Sequence, residues 1–120
     1  MHELGITQNI LDIVRQYVPT EQTADIRKIR LRIGPLAGIV PGSLDSCFTA
    51  LVGGTDMAQA ALEIEQTSLV SLCRDCQKEF EVKQFAFSCP SCDSGNVELI
   101  YGNELEIADI ELADRKDELP

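Results

Sequence analysis

An α+β fold, in which two helices pack on a three-stranded sheet and a small cysteine-bearing module is inserted into the chain, is predicted by three features of this 120-residue sequence. Two runs of apolar residues recur with helical spacing. One basic segment and two acidic segments alternate apolar and charged residues with the period of a strand. Between the two acidic segments stand two clips of the same spacing, Cys73-Arg74-Asp75-Cys76 and Cys89-Pro90-Ser91-Cys92.

From Leu4 to Val18 the residues Leu4, Leu11, Val14 and Val18, joined by Ile6, Ile10, Ile13 and Tyr17, recur at three- and four-residue spacing until Pro19 closes the run. This pattern predicts an amphipathic helix with a broad apolar stripe that lies on a sheet. Between Ile26 and Ile33 the period changes to two: Ile29, Leu31 and Ile33 point one way and Lys28, Arg30 and Arg32 the other, as in a half-buried strand. Gly34-Pro35 breaks that strand. After Leu36 to Val40 a second helix is expected, with Pro41 near its start, Leu44, Cys47, Phe48 and Leu51 on one face, and Gly53-Gly54 as its stop. Within that apolar face Cys47 reads as a small buried hydrophobe, not as a fifth metal ligand. Leu62-Glu63-Ile64-Glu65 and Leu105-Glu106-Ile107 alternate again, with acidic outer faces. If the basic strand lies between or beside these two, opposite charges across the ladder contribute about 0.2–1 kcal/mol per pair and select register.

Each clip sets two thiols one turn apart, and with Gln77 to Ser88 between the clips the spacing is that of the ribbon or knuckle class of zinc sites. The start of the chain lacks the basic, apolar and small-residue succession of a secretory signal. No apolar run approaches the ~20 residues that span a bilayer. A cytoplasmic protein away from membranes is therefore expected, where paired cysteines serve as metal ligands in preference to disulfides. Zn²⁺ on Cys73, Cys76, Cys89 and Cys92 would be coordinatively full, which makes it a structural ion with no place for an activated water. No paired acid and base accompanies it, so the chain does not read as an enzyme. The module, residues 67–97, is too short to bury a core of its own and is expected to need its metal to fold. Phe80, Phe85 and Phe87 are expected to pack over the site, Pro90 and Gly95 to shape the second turn, and Arg74 and Lys78 to screen the thiolates. Ten basic side chains against twenty acidic ones leave a formal charge of −10, which argues against nucleic acid as a partner. The ending Lys116-Asp117-Glu118-Leu119 imitates a retention tag, but Pro120 follows it, and 114–120 reads as a flexible charged tail.

A second candidate site lies in Met1-His2-Glu3, where His2 is the only histidine of the sequence. A free α-amine, the His2 imidazole and deprotonated backbone amides can close five- and six-membered chelate rings, and planar nitrogen donors favour Ni²⁺ or Cu²⁺. The spacing alone leaves two readings open: such a site, or a solvated terminal residue.

Met1-His2-Glu3-Leu4 opening a helix, the stretch Ile33-Gly34-Pro35-Leu36-Ala37-Gly38-Ile39-Val40-Pro41, Leu62-Glu63-Ile64-Glu65 and the paired clips together resemble the HypA/HybF family of nickel chaperones for NiFe-hydrogenase maturation. The resemblance runs through nearly the whole chain in order. It implies a nickel-binding α/β domain of residues 1–66 and 98–113, with a mixed three-stranded sheet, interrupted by a zinc domain of residues 67–97. It implies nickel as transferable cargo on Met1 (amine), His2 (imidazole and backbone nitrogen) and Glu3 (backbone nitrogen), and structural zinc on Cys73, Cys76, Cys89 and Cys92. It also implies partners, a HypB-type GTPase and the hydrogenase large-subunit precursor that receives nickel. A monomer or weak homodimer is expected. The alternative is a zinc-ribbon adaptor that holds a protein partner and transfers no metal.

Overall fold

The computed structural model describes residues 2–113; Met1, the His2 side chain and 114–120 lie outside what it describes, the expected tail among them. Along the chain run helix α1 (His2–Tyr17), a 3-10 turn (Thr20–Asp25), strand β1 (Ile26–Ile33), helix α2 (Pro41–Val52) and strands β2 (Ala61–Gln66), β3 (Val70–Cys73), β4 (Glu79–Glu81), β5 (Val97–Tyr101) and β6 (Leu105–Leu112). Two compact units result. One holds residues 2–31, Ile39–Ile64 and 107–113, the other Arg32–Gly38 and Glu65–Glu106.

In the first unit α1 packs against α2. Thr7, Ile10, Val14 and Val18 form the buried line of α1 and its exit, the i, i+3, i+4 geometry of a single helix face. The stripe is narrower than its composition suggests: Leu4 and Ile13 are exposed and Tyr17 is 76% exposed. Thr7 takes a core position because its hydroxyl donates to the Glu3 carbonyl at 2.7 Å, which satisfies the buried oxygen within the helix. Helix α2 starts with Pro41 in its first turn, where a missing N–H costs nothing. It buries Leu44, Phe48 and Val52 one turn apart; Cys47 and Leu51 of the expected face are half-buried. Gly54, at φ +77°, lets the chain leave the helix. Ile26, Ile29, Leu31 and Met57 complete this core.

The basic strand β1 is the centre of a sheet ordered β2-β1-β6, with an acidic strand on each side. Arg30 pairs with Glu63 and Arg32 with Glu65, so β1 and β2 advance together. Arg30 also meets Asp109 and Glu111, while Arg32 meets Glu106, so β6 runs the other way. The sheet is mixed, and the parallel pair requires the long crossover that α2 occupies. The acidic segment predicted at 105–107 extends to Leu112.

In the second unit β3 is the centre of an antiparallel sheet ordered β4-β3-β5. β5 pairs with β3 in the register Cys73↔Val97, Leu72↔Glu98, Ser71↔Leu99 and Val70↔Tyr101. Residues 98–101, expected in the α/β part, pair instead with the strand that ends at Cys73. The unit is wider than 67–97 at both ends, because Gly34 N–H donates to Glu104 O at 2.9 Å, Leu36 N–H to Gly102 O at 2.6 Å and Thr67 N–H to Ile33 O at 3.0 Å. Leu69 and Val82 are buried with Cys73 and Cys89.

Candidate metal centre

β3 ends at Cys73, and the first clip turns the chain from there into β4. Its backbone closes on itself: Gln77 N–H donates to Cys73 O at 2.8 Å, and Cys73 N–H to Lys78 O at 2.9 Å. The second clip repeats both bonds, Asp93 N–H to Cys89 O at 2.7 Å and Cys89 N–H to Ser94 O at 2.8 Å. In each clip the residue after the second cysteine is left-handed, Gln77 at φ +66° and Asp93 at φ +62°. The second turn is thus made by Asp93, whose side chain tolerates that conformation, and not by Gly95.

Two congruent clips facing each other bring four sulfurs together. The Sγ atoms of Cys73, Cys76, Cys89 and Cys92 all lie within 4.8 Å of one another. Cys73 Sγ is 3.5 Å from Cys92 Sγ, and Cys76 Sγ is 3.6 Å from Cys89 Sγ. A tetrahedron with metal–sulfur bonds of about 2.3 Å has edges of about 3.8 Å, so the constellation fits a zinc-sized dication. Cys76 N–H points at Cys73 Sγ at 3.5 Å, the kind of amide contact that orients a thiolate ligand.

Electrostatics point the same way. Burial opposes the Cys89 thiolate, but the backbone N–H groups of Cys92 and Ser91 and the thiols of Cys76 and Cys92 outweigh it, and the group is lowered to about 7. At Cys92 the Ser94 N–H favours the thiolate, yet Cys73, burial, Cys89 and Cys76 together push the thiol up to about 12. At Cys76 the Lys78 N–H is likewise outweighed, by burial and by Cys89 and Cys73, and the thiol is raised. Thiols this close ionise one at the expense of the next; a central dication is what lets all four be thiolates.

Asp75, inside the first clip, ties it to the second. It accepts hydrogen bonds from Ser94 Oγ and, at 3.1 Å, from Asn96 Nδ2. Those two donors hold its carboxyl below the ordinary carboxylate range against burial. Cysteine spacing does not reveal this clamp, although an acidic residue inside one clip and Ser-x-Asn after the other were its signal. Arg74 turns to Glu98 at 3.5 Å. The expected aromatic cover is largely absent: Phe80 is half-buried, while Phe85 is 62% and Phe87 41% exposed. Gln84 and Phe85 are both left-handed, at φ +56° and +57°.

Of the second candidate site, the structure describes that α1 begins at His2 and that Glu3 is half-buried in its first turn. Glu3 Oε2 accepts from Val40 N–H at 3.5 Å.

An α+β fold interrupted by a ribbon-like four-cysteine centre defines a small metal-binding protein. Residues 1–112 match the family described as "Hydrogenase/urease nickel incorporation, metallochaperone, hypA". The hydrogenase maturation factor HypA of Desulfatibacillum aliphaticivorans is 38% identical over 115 residues, which is 95% of this chain and 88% of that protein. That of Trichormus variabilis is 39% identical over 112 residues, 93% of this chain and 96% of that protein. The chain belongs to the HypA family. The solution structure of the nickel metallochaperone HypA from Helicobacter pylori has the same fold, with a TM-score of 0.64 at 22% identity over 94% of this chain and 98% of that one.

Proposed function

We propose that the protein is a nickel carrier that takes up Ni²⁺ at its first residues and delivers it to the large-subunit precursor of a NiFe-hydrogenase, assisted by a HypB-type GTPase. The observation that carries this reading is the family match, which starts at residue 1 and takes in the chain's single histidine. Nickel's donors are the Met1 amine, the His2 imidazole and backbone nitrogen, and the Glu3 backbone nitrogen. Amide nitrogens in the first turn of a helix lie outside its i→i−4 ladder, so giving up their protons breaks no rung of α1.

Cys73, Cys76, Cys89 and Cys92 hold zinc as a permanent structural ion, which supplies cross-linking and no open coordination position. The protein around it orients the sulfurs through the Cys76 N–H and keeps the clips together through Asp75. Carrier behaviour follows from the chemistry of the other end. Every amide or imidazolium proton lost on nickel uptake returns on release, so affinity rises with pH and a partner can dislodge the ion without opening the core. The cytosol, where thiols stay reduced, is the setting such a centre suits.

The test is a nickel titration of protein that begins at Met1, beside His2→Ala and a variant with extra residues ahead of Met1. Both changes should weaken nickel binding by more than about tenfold, the scale of outer-shell losses at metal sites, with zinc content unchanged. If both variants titrate like the parent, the assignment is wrong. An adaptor without metal transfer would carry zinc and ignore nickel altogether.

A further inference from the structure

The four cysteines are congruent in backbone but unequal in residue exposure. Cys73 is 0% and Cys89 1% exposed, Cys76 is half-buried and Cys92 lies open to solvent. Its near neighbour, at 3.5 Å, is Cys73 in the opposite clip, as Cys89 is the cross-clip neighbour of Cys76 at 3.6 Å. Reaction of cysteine with oxidants follows thiolate character and access, and a ligand of a dication is a thiolate by virtue of the metal. We propose that Cys92 is an oxidation site for peroxide-class oxidants, with Cys73 as the resolving thiol, so that oxidation expels the structural ion. This inference rests on the zinc reading of the centre.

The step balances. The Cys92 thiolate attacks one oxygen of hydrogen peroxide, the O–O bond breaks, and with a proton the second oxygen leaves as water, giving the sulfenic acid. Cys73 then attacks the Cys92 sulfur, an S–S bond forms, and the sulfenic oxygen leaves as the second water. Two electrons pass from sulfur to peroxide. Only Cys76 and Cys89 remain as thiolates, too few to retain a tetrahedral zinc against water and chelators. Because Cys73 ends β3 and the cross-link would join the two clips, the loss falls on the unit that carries β4-β3-β5. Cys47, half-buried on α2 and outside the cluster, serves as an internal control.

The experiment uses full-length protein whose zinc content has been measured, treated with hydrogen peroxide near stoichiometry. A chromogenic chelator reports released zinc, a carbon-acid probe traps sulfenic acid, and peptide mapping locates disulfides. The inference predicts first labelling at Cys92, zinc release in step with a Cys73–Cys92 disulfide, and the same course in Cys47→Ser. First labelling at Cys76 or Cys47, a Cys89–Cys92 disulfide, or zinc retained after Cys92 is oxidised would each overturn it. Protein isolated without zinc would instead overturn the metal reading beneath it. Since Cys92→Ser weakens the site by itself, the parent chain carries the decision.

Discussion

At Gly34 one hydrogen in place of a methyl decides whether the chain can turn. A Cβ there would overlap Gly102 O and stand 2.7 Å from Asn103 N, backbone atoms with little freedom to yield. Gly102 is held in turn: it sits at φ +144°, its N–H donates to Glu104 Oε2 at 3.1 Å, and a Cβ on it would meet Leu69 Cδ1. Gly34→Ala should therefore cost about 1–3 kcal/mol, the range of overpacking, measured as a lower midpoint in urea. An unchanged midpoint would mean that the two turns give way easily. Asp56 is a second such residue. Arg15 grips its carboxylate at 2.8 and 3.1 Å, and the buried Thr23 hydroxyl donates to it. The Arg15 bonds first, then Thr23, hold the Asp56 carboxyl well below the ordinary value of 3.8, against burial. With the folded-state pKa depressed, this stabilisation is complete above the unfolded value and is lost as pH falls through the folded one. Asp56→Asn should be less stable than the parent at pH 7, and the two denaturation midpoints should converge as the pH drops below about 4. A gap that persists in acid would assign the effect to something other than the charge.

At the scale of elements, the pairing of β1 with β2 and β6 is an electrostatic choice as well as an apolar one. Arg30 reaches three carboxylates on two strands, Glu63, Asp109 and Glu111. Its guanidinium is shifted upward chiefly by the Asp109 and Glu111 bonds and then by Glu63. Arg27, which among the described residues donates to the backbone oxygens of Ala24 and Ile26, is the natural control. Arg30→Glu should lower the unfolding midpoint clearly more than Arg27→Glu, and salt should narrow the difference because these pairs face water. Equal effects would remove charge from the account of register. This ladder was legible in advance, since a period of two leaves one geometry for Lys28, Arg30 and Arg32 and their acidic complements. The angular limits of α1 were not. Residue type marks Leu4, Ile13 and Tyr17 as apolar but says nothing about where a second helix ends its cover, and Thr7 enters the core through a bond to its own helix. β4 and β5 were missed because three- and five-residue strands are too short to show a period; they pair through the turns that the cysteine clips make. The four sulfurs were readable from spacing alone, whereas the Asp75 clamp joins groups that only folding brings together.

At the scale of the whole molecule, the proposed function requires two metals kept apart by ligand chemistry. Four soft sulfur donors gather within 4.8 Å of one another, a set that fits a tetrahedral structural ion. On the proposed function, the first residues would offer nitrogen donors for an ion that leaves. An acidic chain with a formal charge of −10 concentrates cations near its surface and disfavours phosphate backbones, which suits a carrier. Native mass spectrometry of protein beginning at Met1, in excess Ni²⁺, tests this division directly. The parent should carry zinc and nickel together, and His2→Ala zinc alone. A parent that carries only zinc under those conditions, or a His2→Ala protein that takes nickel as readily as the parent, would contradict it.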